Sequence, residues 1–302
     1  MTLTVLVPEE EGLMALAGLN GVGPVLYNPA GRMPEQAAYA QVMVVPPLHA
    51  NRLVAAMREM PRLRLVQTLS AGVDQWEGRL PAGVLLSNAR GAHGGATAEW
   101  AVTVLLAIFR RIPRWAADQE EHAWRPRMTE TLDGKRVLIL GAGDLGASLR
   151  ARLEPFGAVV TMAARTPRPG VHGTAELPRL LGGHDVVVVM VPYNTETHHL
   201  VDKDFLSRMP DGAVLVNAAR GPVVDTGALL DELNAERLRA ALDVTDPEPL
   251  PAGHPLWDAP GLLITPHIGG NTAGNAERAW AVAARQIAAF AAGRRPPNAV
   301  GR

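Results

Sequence analysis

The 302-residue chain contains no cysteine. That absence excludes disulfides, cysteine zinc sites and thiol nucleophiles together, and it fits a cytoplasmic protein. Charge of one sign is also missing: 29 Lys and Arg balance 30 Asp and Glu to a net −1, so neither nucleic acid nor an anionic membrane surface is expected as a partner. No apolar run approaches the ~18 residues of a membrane span; the longest, such as "VVVVMV", are strand-sized. The opening "MTLTVLVPEEEG" lacks the basic start and long apolar stretch of a signal peptide. No solenoid-length repeat occurs, and no metal-ligand cluster stands out. Aromatics are scarce at 4%, whereas Ala, Val and Leu dominate, as in α/β proteins with small-residue helices. Hydrophobic residues at 47% against 20% charged supply a core, and the length suggests two domains. A protein with a small-molecule ligand is the expected class.

Short apolar runs alternate with helical patterns. Strands are predicted at 2–8, 40–46, 63–70 and 83–88, with a helix over 50–60. "GGATAEWAVTVLLAIFRRIP" (94–113) reads as a long helix with Thr97 as N-cap, Arg110 and Arg111 at its C-terminal dipole and Pro113 as terminator. The polar stretch 114–134 reads as irregular. A second series of strands is predicted at 135–143, 156–164, 184–192, 212–221, 239–244 and 262–267. An Ala-rich helix is expected over 275–295, packing back on the first lobe. Fully apolar strands separated by helices predict parallel sheets covered on both faces. The fold class is therefore α/β, with two doubly wound parallel-sheet lobes.

"VLILGAGDLGASLRARL" carries G-x-G-x-x-G at Gly141, Gly143 and Gly146, between an apolar strand and an amphipathic helix. In that setting the first glycine permits the tight turn, the second lets the backbone approach a pyrophosphate, and the third lets helix and strand pack closely. The phosphates would sit on the helix N-terminus.

Three more stretches place reactive side chains at strand ends. "VNAARGPVVD" carries Arg220, "ALDVTDPEPLP" carries Asp243 and Glu248, and "LLITPHIGGNT" carries His267. Singly, each reads as a surface charge, a solvated loop acid or a satisfied core histidine. Together, beyond the carboxyl ends of a sheet that also holds the glycine loop, they point to one ligand crevice.

The ordered set "LSAGVD", "TAEW", "GAGDLG", "VNAARGPVVD", "LDVTDPEP" and "TPHIGG" resembles the D-isomer-specific 2-hydroxyacid dehydrogenase family from end to end. The resemblance implies a flavodoxin-like substrate domain (1–93 plus 271–302) and a Rossmann dinucleotide-binding domain (94–270), with a cleft between them that closes over substrate. It implies Arg220, Glu248 and His267 as catalytic residues, Ala71, Gly72 and Val73 as a substrate-carboxylate loop, and Asp243 as the partner of the nicotinamide carboxamide. Further cofactor contacts are implied at Thr97, Asp144, Leu145, Thr166, Val191, Pro192, Thr197, Ala218, His267 and Gly269. The implied activity is reduction of a small 2-oxo acid, of the glyoxylate or hydroxypyruvate kind, to the D-2-hydroxy acid. Protonated His267 would give the proton, with Glu248 favouring the charged imidazole. Arg220 would hold the carboxylate and polarise the carbonyl. Side chains near His49, Trp76, His93 and Trp257 are expected to set pocket size. The family pattern also implies a homodimer through the long-helix region. Because the chain ends soon after its last helix, feedback control through an added regulatory domain is not expected. Relatives of this fold that act as dinucleotide-sensing corepressors provide the alternative reading, disfavoured by the complete Arg220, Glu248 and His267 set. A formate or phosphite dehydrogenase of the same fold ranks lower, since Gln rather than Glu248 is expected beside the histidine of a formate enzyme.

One departure bears on the cofactor. "AARTPRPG" puts Ala164 where family members that prefer NAD carry an Asp for the ribose hydroxyls. Arg165 comes immediately after, with Thr166 and Arg168 as further donors for a 2′-phosphate. Losing the acid and gaining the base predicts NADP(H) as the preferred cofactor and NAD(H) as the weaker alternative.

Overall fold

A computed structural model describes residues 2–301. The chain opens with β1 (Leu3–Val7), α1 (Glu10–Leu16), β2 (Val22–Leu26), β3 (Val42–Val45), α2 (Ala50–Met57), β4 (Leu65–Thr68) and β5 (Leu85–Ser87). It continues through α3 (Gly94–Phe109), α4 (Ile112–Glu120), β6 (Arg136–Leu140), α5 (Asp144–Leu153), β7 (Val159–Ala164), β8 (His172–Gly173) and α6 (Leu177–Leu180). Next come β9 (Val186–Val189), α7 (Lys203–Ser207), β10 (Val214–Asn217), α8 (Thr226–Asn234), β11 (Arg239–Leu242) and β12 (Leu262–Ile264), and the chain closes with α9 (Asn275–Ala291) and β13 (Ala299–Val300). It divides into two compact units, Met1–His93 with Ala273–Arg302, and Gly94–Thr272.

The first unit holds a sheet ordered β13-β5-β4-β3-β1-β2. Apart from the antiparallel β13, this is the 2-1-3-4-5 order of flavodoxin-like sheets. Its two faces bury Leu6, Met43, Val45 and Val66 on one side and Val5, Val7, Val42, Val44 and Leu65 on the other. The second face is covered by α9, whose Trp280, Ala283 and Ile287 recur at helical spacing and are buried against those valines. Trp280 lies so close to α1 that a Cβ on Gly12 would meet its ring at 2.5 Å, and its indole N–H donates to Glu9 at 2.7 Å.

The second unit holds a sheet ordered β12-β11-β10-β9-β6-β7-β8, all parallel. Numbered within the unit this is the 3-2-1-4-5-6 order of dinucleotide-binding sheets, extended by β12. β9 is an all-valine strand because both of its faces are covered: Val187 and Val189 face one core layer, Val186 and Val188 the other. The chain runs outward from β6 to β8 and then crosses back to β9, so the crevice of the sheet opens beyond the ends of β6 and β9. Among the described residues, no helix is long and apolar enough to cross a membrane.

Several local expectations fail. α3 begins at Gly94, so Thr97 is not its N-cap but lies buried in the first turns. Two adjacent glycines argue against a helix start there, yet a Cβ on Gly94 would meet the Asp144 carboxylate at 2.2 Å, so contact overrides propensity. Pro113 does not terminate α3, which ends at Phe109. It stands in the first turn of α4, after Arg111 has turned the chain in the left-handed region at φ 53°; a first-turn proline loses no hydrogen bond. The stretch read as irregular from 114 is thus helical as far as Glu120. The segment after α4 is pinned by the buried Asp118, which accepts from Arg125 at 2.9 Å and Arg127 at 3.1 Å and pairs with Arg114 at 3.2 Å. α1, β2, β8 and β13 are additional elements, and α9 stops at Ala291 rather than 295.

Candidate active site

The strand register of the second unit assembles the chemistry. Val189, Asn217 and Leu242 are cross-strand partners in β9, β10 and β11, and Leu242 pairs with Ile264 of β12. One to three residues past this line come Arg220, Asp243, Thr265 and His267. Leu140 of β6 pairs with Val189, so the glycine loop leaves the same edge. Cross-strand pairing therefore brings residues more than 100 positions apart to one rim.

His267 is the most constrained of them. Its backbone is in the left-handed region at φ 55°, uncommon outside glycine and a mark of functional positions. The strain is held by its own N–H, which donates to the carbonyls of Asp243 at 2.8 Å and Thr265 at 3.0 Å. The ring nitrogen Nδ1 lies 2.6 Å from Glu248 Oε1. A carboxylate only accepts, so Nδ1 carries the hydrogen and Nε2 is the nitrogen left for other work.

Asp243 is buried and organises the turn that carries His267. Its Oδ1 accepts from the Thr265 hydroxyl at 2.6 Å and the Ile268 N–H at 2.8 Å, and its Oδ2 from the Gly269 N–H at 2.8 Å. A Cβ on Gly269 would meet that same Oδ2 at 2.8 Å, so glycine is what allows the approach. Thr265 in turn accepts from the Trp100 indole of α3 at 3.0 Å. Sequence reading missed Trp100 and Thr265, and also Asn217. The buried Asn217 side chain receives the Ala219 N–H at 3.0 Å and donates to the Arg220 carbonyl at 3.0 Å, fixing the turn from which Arg220 projects. The Arg220 guanidinium itself donates to the Ala219 carbonyl at 2.7 Å.

The glycine loop has the geometry of a phosphate cradle. Gly141 turns at φ 114°, and a Cβ there would meet the Met190 carbonyl at 2.5 Å. A Cβ on Gly146 would meet the Gly141 carbonyl at 1.9 Å, pressing α5 onto the end of β6. A Cβ on Gly143, by contrast, would meet no other part of the described residues within 4 Å, leaving open space at the N-terminus of α5, where unpaired N–H groups favour an anion. The residues present therefore fit a dinucleotide pyrophosphate. Asp144 turns its carboxylate against Gly94, where Oδ2 is buried without a hydrogen-bond partner among the described residues, and Leu145 packs on the α3 layer. On the neighbouring loop the Thr197 hydroxyl donates to the Pro192 carbonyl at 2.8 Å and accepts the Asn194 N–H at 2.9 Å, Val191 packs on the core, and Ala218 donates its N–H to Val189 at 3.1 Å.

Beyond β7, Arg165 and Thr166 are exposed. The Arg165 guanidinium lies 3.7 Å from Glu196 with 79% of its side chain exposed. Arg168 is engaged differently, donating to the Ala142 carbonyl of the glycine loop at 2.6 Å.

In the first unit, the loop after β4 contains Ala71, Gly72 and Val73, each part-exposed. Trp76 is buried in the core beside Val73. His93 donates to the Leu69 carbonyl at 3.0 Å. His49 turns the chain into α2 at φ 68°. Trp257 is half-exposed, its indole bonded to the Pro251 carbonyl at 2.8 Å.

Comparison with known proteins agrees with this geometry. Residues 102–269 match the family model described as "D-isomer specific 2-hydroxyacid dehydrogenase, NAD binding domain". The chain is 34% identical over 251 residues to a D-3-phosphoglycerate dehydrogenase of Mycobacterium bovis, covering 80% of this chain and 47% of that one; it thus spans about half the length of that relative. It is 34% identical over 252 residues to a glyoxylate/hydroxypyruvate reductase A of Yersinia enterocolitica, covering 79% of this chain and 80% of that one. A D-isomer specific 2-hydroxyacid dehydrogenase of Xanthobacter autotrophicus, solved in complex with NADPH and MES, superposes with a TM-score of 0.86 at 31% identity over 99% of this chain and 98% of that one. The chain belongs to the D-isomer specific 2-hydroxyacid dehydrogenase family.

Proposed function

We propose that the chain is an NADP(H)-preferring reductase that converts a small 2-oxo acid, of the glyoxylate or hydroxypyruvate kind, into the D-2-hydroxy acid. The observation that carries the proposal is the 2.6 Å contact of His267 Nδ1 with Glu248 on a strained backbone at the rim of the dinucleotide-type sheet. Reduction of a carbonyl needs a hydride at carbon and a proton at oxygen. The nicotinamide dinucleotide, when bound, supplies the hydride. His267 holds the proton at Nε2 and delivers it to the carbonyl oxygen, while Glu248 fixes the ring through Nδ1 and offsets the imidazolium charge. Arg220 takes the substrate carboxylate and withdraws charge from the carbonyl oxygen. The N–H groups of Ala71, Gly72 and Val73 take the remaining carboxylate contacts.

The unit Gly94–Thr272 is the cofactor domain in this reading, and the unit containing residues 69–73 is the substrate domain. Gly141, Gly143, Asp144, Leu145 and Gly146 hold the pyrophosphate. Thr97, Val191, Pro192, Thr197, Ala218, Asp243, His267 and Gly269 line the rest of the dinucleotide, and Arg165 with Thr166 receives the 2′-phosphate. The preference for NADP(H) is supported by Ala164 in place of an acid and by the exposed Arg165 guanidinium. The chain also pairs as a homodimer in this reading, through the segment after α3, where Ile112, Trp124 and Met128 are exposed on a stretch held rigid by Asp118 and its arginines. The deciding experiment is turnover of a panel of 2-oxo acids with NADPH and with NADH. Glyoxylate or hydroxypyruvate should be reduced with higher kcat/KM on NADPH; no turnover of any 2-oxo acid with either cofactor refutes the reading.

A further inference from the structure

The loop from Thr68 to Val73 is fixed in an unusual way: every carbonyl along it is already taken. Thr68 O accepts from Gln67 Nε2 at 2.8 Å, Leu69 O from His93 Nε2 at 3.0 Å and Ser70 O from the Thr68 hydroxyl at 2.7 Å and the Ala89 N–H at 2.9 Å. Ala71 O accepts from Asn88 Nδ2 at 2.9 Å, Gly72 O from the Ser70 hydroxyl at 2.8 Å and Val73 O from the Trp76 N–H at 2.8 Å. Among the described residues, the N–H groups of Ala71, Gly72 and Val73 donate to no protein acceptor. Peptide carbonyls turned inward onto donors leave the intervening N–H groups for a ligand, and successive free N–H groups form an anion-binding concavity. Of these ties, those from Gln67, Thr68 and Ser70 are local. The His93 tie reaches across 24 residues, from the last position before α3.

His93 is itself held. The Ala92 N–H closes a turn onto the Ala89 carbonyl at 3.0 Å, the Ala92 carbonyl accepts from Arg278 Nε at 3.3 Å, and Leu69, Ala89, Ala92, Ala279 and Val282 form one apolar cluster beside it. A carbonyl can only accept, so Nε2 carries the ring hydrogen. The other ring nitrogen, Nδ1, is buried with no partner among the described residues, which costs stability. We propose that His93 is a positioning residue for substrate binding: its Nε2–H anchors the Leu69 carbonyl so that the Ala71–Val73 N–H groups face a carboxylate. This assignment rests on the 2-oxo acid reductase reading of the same loop.

The test compares His93→Leu, His93→Gln and Ser70→Ala with the parent chain, using glyoxylate and hydroxypyruvate with saturating NADPH, oxalate as a competitive probe, and thermal unfolding as a folding control. Gln retains an N–H at about the reach of Nε2, whereas Leu retains only bulk. Losing one net hydrogen bond corresponds to a few-fold to about tenfold change. His93→Leu is therefore expected to raise KM and the oxalate inhibition constant about three- to tenfold, with kcat within about twofold and the NADPH Kd unchanged. His93→Gln restores most of the loss. Ser70→Ala, which frees only the Gly72 carbonyl, shifts KM in the same direction and keeps the assignment testable should His93→Leu not fold. An unchanged KM in His93→Leu, a uniform loss of kcat, KM and NADPH binding, failure of Gln to rescue, or an unchanged KM in Ser70→Ala each overturns the role. A parent chain that turns over no 2-oxo acid overturns the functional reading and this one with it, whereas an active parent with indifferent variants removes only His93.

Discussion

Replacing Arg165 by alanine tests the cofactor reading directly. Among the described residues, the guanidinium pairs with Glu196 at 3.7 Å, and both side chains are largely exposed. At that separation the attraction in water is about 1 kcal/mol before salt screening. An exposed pair of this kind adds little to folding, so Arg165→Ala should leave the denaturation midpoint almost unmoved. Its effect on binding is a different matter. A hydrogen bond to a charged group contributes about 1.5–3 kcal/mol, or roughly ten- to a hundredfold in Kd. That loss falls on NADPH, which carries the 2′-phosphate, and hardly on NADH. Glu196 works in the opposite sense, since it competes for the guanidinium and repels the incoming phosphate. Glu196→Gln should therefore tighten NADPH by no more than about fivefold, the equivalent of about 1 kcal/mol. Fluorescence titration of both reduced cofactors against parent, Arg165→Ala and Glu196→Gln reads all of these quantities. Equal weakening of NADPH and NADH in Arg165→Ala, or a parent that prefers NADH, refutes the reasoning.

His267→Ala should lower kcat by about 10²–10⁴-fold while the NADPH Kd stays within a few-fold, and a residual kcat within tenfold of the parent removes it as the proton donor. Gly146→Ala drives a methyl to 1.9 Å from the Gly141 carbonyl. It should cost about 1–3 kcal/mol in urea unfolding, as overpacking does, together with dinucleotide affinity; unchanged values for both contradict the packing described. Glu130 bridges Lys135 and Arg239 at 2.7 Å each. Burial pushes its carboxyl up, but the hydrogen bonds from Arg239 and Lys135 outweigh that and hold it below its usual 4.5. A lowered folded value means the stabilisation is present above pH 4.5 and is lost as pH falls through the folded value. Glu130→Gln, with the carboxylate partly exposed, should cost about 1 kcal/mol at pH 7 and progressively less in acid, and a cost independent of pH would contradict the assignment.

The fold was largely legible because its central strands are buried on both faces and so consist of uninterrupted β-branched and aliphatic residues. "VVVVMV" and "RVLIL" admit few other readings. The elements that escaped are those whose formation depends on distant partners. β8 and β13 have two residues each and exist only because Ala163 and Ser87 offer edges to pair with. β2 contains Pro24, tolerated because it lies at the sheet edge. α3 starts on glycines because of Asp144, 50 positions later, and no local propensity carries that information.

The candidate site divides along the same line. Gly141, Gly143 and Gly146 are visible because a short-range pattern encodes them, and Arg220, Glu248 and His267 because reactive residue types at strand ends are few. The supporting residues carry no such mark. Thr265 reads as a strand-end β-branched residue, Trp100 as helix core and Asn217 as a turn former, yet the chain of donors from Trp100 through Thr265 to Asp243 holds the backbone on which His267 is strained. Asp243 has a structural role that its position in the sequence does not reveal. Resemblance implies a cofactor contact there, while three donors from Thr265, Ile268 and Gly269 already fill most of its carboxylate. A carboxylate has about four lone-pair positions, so one remains on Oδ2. Asp243 can therefore shape the His267 turn and still accept one further hydrogen bond, and removing it would release that turn from all three of these contacts.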